Sequence, residues 1–388
     1  MNRREFSRGL AGAATAATLS RLAGAQSPPP APAPAPAPAP ALREPSAVSA
    51  RARALYHSAL ILDCNSSPPE GRLPLPQADL DAVRGSGINV IKYSLGGIND
   101  DFPTTVAAIG QVQRLIETYP AYFTQVRTAG DFARAKADGK LGIILSFESA
   151  EMLAGKLESF EVFRNLGVRV MQLSYNRKSP FAAGVMEPEG GGLTPLGRQA
   201  VAEMNRLGIA IDVSHANAAT TADVLDLSNK PPLMTHAACA AIHAHPRNKT
   251  DEQLRALADR GGVVGIFDLP YLTASPKQPT VEDYLEHLEH ALKVAGENHV
   301  GIGSDTEILP MDLSEKGIAE LNQQLEQRRT AGLAAPEEDR PPYVVGLNTP
   351  RRIEIIVDGL LKRGYPSAVV EKVAGANFAR VLADIWST

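Results

Sequence analysis

The chain has 388 residues, 44% hydrophobic and 21% charged, with a formal charge of −4 and two cysteines. Two cysteines exclude a disulfide scaffold and a four-cysteine zinc module. An aromatic content of 5% and an acidic balance argue against a nucleic-acid partner, and no apolar run reaches the ~18–20 residues of a transmembrane segment.

In chain order, residues 1–25 come first. They carry Arg3-Arg4, a weakly apolar Ala/Gly/Leu stretch and Ala23-Gly24-Ala25. This is the pattern of a twin-arginine export signal with a small-residue cleavage site, so a periplasmic or secreted location is expected. Residues 26–45 hold alternating Pro and Ala, a semi-rigid polyproline II linker. Residues 46–388 are read as one domain.

Eight short apolar runs in that domain each end in a polar residue. They are ALILDCN (59–65), INVIKYS (88–94), LGIILSFE (141–148), VRVMQLSYN (168–176), IAIDVSH (209–215), PPLMTH (231–236), GGVVGIFD (261–268) and HVGIGSD (299–305). Amphipathic helical patterns separate most of them, among them Pro195–Leu207, Asp251–Arg260 and Val281–Ala295, with Gly208 and Gly261 as stop signals. Near-continuous apolar strands alternating with helices predict a parallel sheet covered on both faces. Eight of them, with no glycine-rich dinucleotide fingerprint after the first, predict an α/β fold of the (β/α)8 TIM-barrel type. A charged insertion follows, roughly Glu315–Arg340, and two amphipathic helices (350–365 and 366–386) close the chain.

Barrel active sites lie at the C-terminal ends of the strands. Those positions hold Asn65, Lys92, Glu148, Tyr175, His215, His236, Asp268 and Asp305. His215 and His236 end adjacent strands and Glu148 can reach across the mouth. Two imidazoles and a carboxylate make a three-ligand catalytic zinc site with a position left for water. Asp305 is then placed to act as general base. The other six histidines sit in helices, loops or at a strand start and are read as surface or structural. Cys64 and Cys239 are read as packed thiols.

At these residues the chain resembles the membrane dipeptidase family of metal-dependent barrel hydrolases. The similarity runs through GLTPLGRQAVAEMNRLGIAIDVSHAN (192–217), PLMTHAACAAIHAHPRN (232–248), HVGIGSD, GANFARVL (375–382) and ILSFESAEML (144–153). The resemblance implies that Glu148, His215 and His236 hold zinc and that Asp305 is the catalytic acid/base. It further implies that Arg247 holds the carboxylate of a dipeptide or other small substrate, and that Tyr175 replaces a substrate-binding histidine. Members of this fold often pair as homodimers, and no interface signal marks where.

The first strand departs from the family. Its Asp-Gly-His-Asn-Asp pattern is replaced by Asp63-Cys64-Asn65-Ser66-Ser67, so Asn65 stands for a ligating His and Ser67 for a ligating Asp. The expectation is one zinc rather than two. Lys92 is weighed as a cation replacing the second ion beside Glu148, against pairing with Asp305 or pointing elsewhere. The function expected first is hydrolysis of dipeptides or small amides by a metal-activated water. A one-metal lyase, epimerase or other amide hydrolase, and a degenerate periplasmic binding barrel, are the alternatives.

Overall fold

A computed structural model describes residues 48–71, 73–96, 98 and 100–387. The expected export signal and linker lie outside the described residues. Each apolar run contains a strand: β1 Leu62–Asp63, β2 Val90–Ser94, β3 Leu141–Phe147, β4 Val168–Met171, β5 Ala210–Ile211, β6 Leu233–Ala237, β7 Val263–Ile266 and β8 Val300–Ile302. They pair in parallel in the order β5-β4-β3-β2-β1-β8-β7-β6, so neighbours in space are neighbours in sequence. The two ends of that path meet through a parallel bridge between Asp212 and Leu233, which closes the expected barrel. One further strand, Phe123–Gln125, pairs with the start of β3 below the point where β4 begins. Three residues are too few to show alternation, which is why the sequence pattern missed it.

The helices follow their local signals. Pro195–Leu207 starts where the Thr194 hydroxyl accepts the Gly197 N–H, and it stops at Gly208 in the left-handed region, φ 63°. Val281–Ala295 opens with a capping box between Thr280 and Asp283. No helix among the described residues is long and apolar enough to cross a membrane.

Side chains alternate between the two faces of a strand, so every second residue of each barrel strand points inward. The lowest inward layer is apolar: Leu62, Val90, Ile144, Val170, Ala210, Leu233 and Val263 belong to one buried cluster. The C-terminal helix Asn377–Trp386 joins that cluster through Phe378, Val381, Leu382 and Ile385, plugging the barrel floor. At β8 the plug needs room: a Cβ on Gly301 would lie 2.6 Å from the Phe378 ring. Two residues further along, the inward layer turns polar on five of the eight strands, with Lys92, Ser146, Gln172, Asp212 and Thr235 all buried. The polar residues that end the strands, Glu148 and His215 among them, stand above this layer. The remaining apolar side chains of the strands pack outward against the helices.

The charged insertion is a helix, Glu315–Thr330, followed by a loop. Leu321 and Leu325, one turn apart, are buried while most of the rest is exposed. A stripe of two leucines in a charged segment gives too weak a period to announce a helix.

His287, in the helix Val281–Ala295, is fully buried. Its Nδ1 accepts the Cys239 N–H at 3.0 Å, so its Nε2–H donates to the Leu272 carbonyl at 2.9 Å. Burial holds its pKa down at about 4, against the ordinary 6.5. The folded chain therefore binds fewer protons here than the unfolded chain between pH 6.5 and 4, and stability falls as pH drops through that window. The expected loss is on the order of 3 kcal/mol at most. His287→Gln should flatten the fall in Tm between pH 6.5 and 4; an unchanged slope refutes this.

Candidate active site

His215 follows β5 and His236 lies within β6, and both rings are buried. Their neighbours fix which nitrogen carries the proton. Asn176 Nδ2 donates to the Leu333 carbonyl, so its Oδ1 faces His215 Nδ1 at 2.7 Å and accepts the Nδ1–H. Thr235 gives its single hydroxyl proton to Asp212 Oδ2 at 2.6 Å. It must then accept from His236 Nδ1, 2.8 Å away. In the neutral rings both lone pairs are left on Nε2, and the two Nε2 atoms face each other across 2.9 Å. Two lone pairs at that separation repel unless a cation lies between them. Glu148 Oε1, 3.9 Å from His236 Nε2, supplies the third donor. These three donor atoms all lie within 4.8 Å of one another, which fits a zinc-type ion. Burial, helped by Arg247 and His236, holds the His215 pKa well below the usual histidine range, so its ring stays a neutral ligand.

Asp212 anchors this pair from below. It accepts the N–H groups of Ser214 and Thr235 and both their hydroxyls. Lys92 Nζ lies 3.8 Å from Asp212 Oδ2, both side chains fully buried, and donates to Ser94 Oγ at 3.2 Å. The ion pair of Lys92 is therefore with Asp212 and not with Glu148 or Asp305. The register explains it: Lys92 points into the second inward layer, the layer of Asp212. Lys249 Nζ donates to the Val213 and Ala216 carbonyls on either side of His215. Burial, then Arg247, lowers its pKa to about 7.

Asn65 takes the place between the carboxylates. Its Nδ2 donates to Glu148 Oε1 at 3.1 Å and to Asp305 Oδ1 at 2.8 Å. Asp63 arranges this by accepting the N–H groups of Asn65 and Ser304 and the Ser304 hydroxyl. The Asp305 N–H in turn donates to the Asn65 carbonyl at 2.6 Å. Asp305 holds φ 58°, a left-handed conformation that Asp adopts more readily than most residues. Ser67 lines the same cavity, of about 280 Å³, as Asn65, Glu148 and Asp305. Asp268, on that wall too, is pushed by burial up to about 8 beside Arg352.

The cavity continues into a second lobe that holds Arg247. Arg247 is 3% exposed; Nη2 donates to the His236 carbonyl and Nε has no hydrogen-bond partner among the described residues. Tyr175 stacks on His215 with ring centroids 4.1 Å apart. Its hydroxyl accepts from Arg328 of the insertion helix, and burial raises its pKa.

Asn65, Ser67, Glu148, Tyr175 and Asp305 line the first cavity and Arg247 the second, while His215 and His236 lie behind Tyr175 and Glu148, and Lys92 pairs with Asp212. The sequence reading did not single out Asp212, Thr235, Asn176 or Arg328. A polar residue at an inward position of an apolar strand was the available signal for Asp212 and Thr235. Thr235→Val keeps the shape and removes the acceptor for His236 Nδ1–H. Metal affinity should fall about 10–100-fold, read by chelator competition, with the fold unchanged by circular dichroism. An unchanged affinity would sink the orienting role.

Residues 75–334 match the model of membrane dipeptidase, peptidase family M19. The chain belongs to the membrane dipeptidase family. Among curated relatives, Dipeptidase tcpJ of Claviceps purpurea is 28% identical over 284 residues, covering 72% of this chain and 60% of that protein. Uncharacterized dipeptidase C965.12 of Schizosaccharomyces pombe is 32% identical over 234 residues, covering 57% and 56%. The chain thus spans somewhat over half the length of these relatives. An amidohydrolase from Pseudomonas aeruginosa is 30% identical, with TM-score 0.77 over 87% of this chain and 99% of that one. A Rhodobacter sphaeroides metallopeptidase, solved with a phosphinate mimic of L-Ala-D-Ala, shares the fold at 22% identity, TM-score 0.69, covering 84% and 99%.

Proposed function

We propose that this dipeptidase-family barrel hydrolyses dipeptides or closely related small amides with one zinc ion, held by Glu148, His215 and His236. The observation that carries the reading is the convergence of the two Nε2 atoms of His215 and His236 with the Glu148 carboxylate, beside Asp305. Bound zinc would bring the pKa of its water toward ~7 and polarise the scissile carbonyl.

The chain's own residues do the rest. Arg247, a buried cation with no carboxylate partner among the described residues, takes the substrate carboxylate and fixes its orientation. Asp305 takes a proton from the attacking water and returns it to the departing amine, while the Asn65 amide holds its carboxylate in place. Tyr175 covers the outer face of His215 and excludes water. The twin-arginine pattern makes export of the folded chain part of the same reading.

The test is zinc content measured on purified protein together with a screen of L,L- and L,D-dipeptides. About one zinc per chain and turnover of some dipeptides is expected. Absence of any metal-dependent turnover overturns the activity, and about two zincs per chain overturns the single-ion site.

A further inference from the structure

The lobe around Arg247 has a volume of about 140 Å³, and leucines and Tyr271 form much of its wall between charged groups. Leu269 and Tyr271 follow β7. Leu321 and Leu325 come from the insertion helix and Leu333 from the loop after it. Each of these five is at most 8% exposed.

The other cations in the lobe are already paired. Arg328 binds both carboxylate oxygens of Glu338, which also accepts the Tyr271 hydroxyl. Arg340 pairs with Glu337 and Asp339 and donates to the Pro270 and Thr273 carbonyls, which fixes the Tyr271 wall. Asp305 is held by Asn65, and Asp100 is half-buried. Among the described residues, Arg247 remains as the cation of the lobe without a carboxylate partner.

We propose that this lobe is a side-chain subsite for an apolar amino acid, so that the preferred substrates are dipeptides whose carboxylate-bearing residue is aliphatic or aromatic. The inference rests on the dipeptidase reading for its substrate class. A substrate anchored by its carboxylate on Arg247 places the side chain of that residue among the leucines. A second carboxylate there would be stripped of water with Arg328 and Arg340 already engaged, and an ammonium would lose its water among the leucines; both are costly. A missing methylene in such a pocket changes selection by about 10–200-fold. The insertion helix, charged outside and leucine-lined inside, is therefore the element that sets specificity.

The test uses the full chain, with and without zinc, titrated calorimetrically with L-leucine, L-phenylalanine, L-aspartate and L-lysine. Hydrolysis of Ala-Leu, Ala-Phe, Ala-Asp and Ala-Lys is followed in parallel. Leucine and phenylalanine should bind at least about tenfold tighter than aspartate and lysine, in both metal states. Leu325→Asp should lower leucine binding at least about tenfold and narrow the gap to lysine, and Leu325→Met should keep the preference. Equal binding of aspartate or lysine, or a preference unmoved by Leu325→Asp, overturns the subsite. Should Leu325→Asp fail to fold, Leu333→Ala, read in the same way, decides. Selective leucine binding without hydrolysis of Ala-Leu would sink the dipeptidase reading and leave the subsite standing. Hydrolysis of all four dipeptides at equal rates would do the reverse.

Discussion

Asp305→Asn should lower kcat for dipeptide hydrolysis by about 10²–10⁴, the usual contribution of a positioned general base, while zinc content and KM stay near those of the parent. The substitution isolates the proton-transfer role because little else changes. Asn has the size of Asp, and it keeps an oxygen to accept the Asn65 Nδ2 hydrogen bond, now 2.8 Å. The main-chain bond from residue 305 to the Asn65 carbonyl does not involve the side chain. The left-handed φ of 58° suits Asn as well as Asp. A kcat within about tenfold of the parent would mean that less than ~1.4 kcal/mol of barrier depended on this carboxylate, and the base would have to be sought elsewhere. Binding of dipeptides by parent and variant with turnover by neither would instead favour a binding barrel.

The sequence carries the barrel clearly because buried parallel strands are near-continuous apolar runs, and the polar residue that ends each run marks the mouth. His215, His236, Glu148 and Asp305 are legible for that reason. The contacts that tune them are not. The Asn65 amide joins residues 83 and 240 positions away, a meeting that only barrel closure creates. Lys92 illustrates the same limit. Its place in the β2 run is plain, but its partner depends on which inward layer it enters, and that layer holds Asp212. The specificity-setting leucines were hidden differently: Leu321 and Leu325 sit in a charged segment whose period is too sparse to read, and only the cavity beneath gives them meaning.

Asn65→His combined with Ser67→Asp should raise the zinc content from about one to about two per chain, since it supplies the imidazole and carboxylate that a second three- or four-ligand site needs. In the parent, one neutral amide serves two carboxylates, donating at 3.1 Å to Glu148 and 2.8 Å to Asp305. The like charges of two carboxylates that meet on one side chain repel, and a donor or cation between them offsets this. The nearby ammonium does not serve, because Lys92 is committed to Asp212. The Asn65 amide thus serves as the shared donor between the two carboxylates. Position 67 tolerates the change, because Ser67 is half-buried on the cavity wall and its carbonyl, not its side chain, takes the Ile308 N–H. The double variant should also gain thermal stability on zinc addition beyond the gain of the parent, since an ion bound only by the folded state stabilises by mass action. Retention of one zinc, with the parent's thermal response, would show that the protein around the first strand, and not the two missing ligands, limits the site to a single ion.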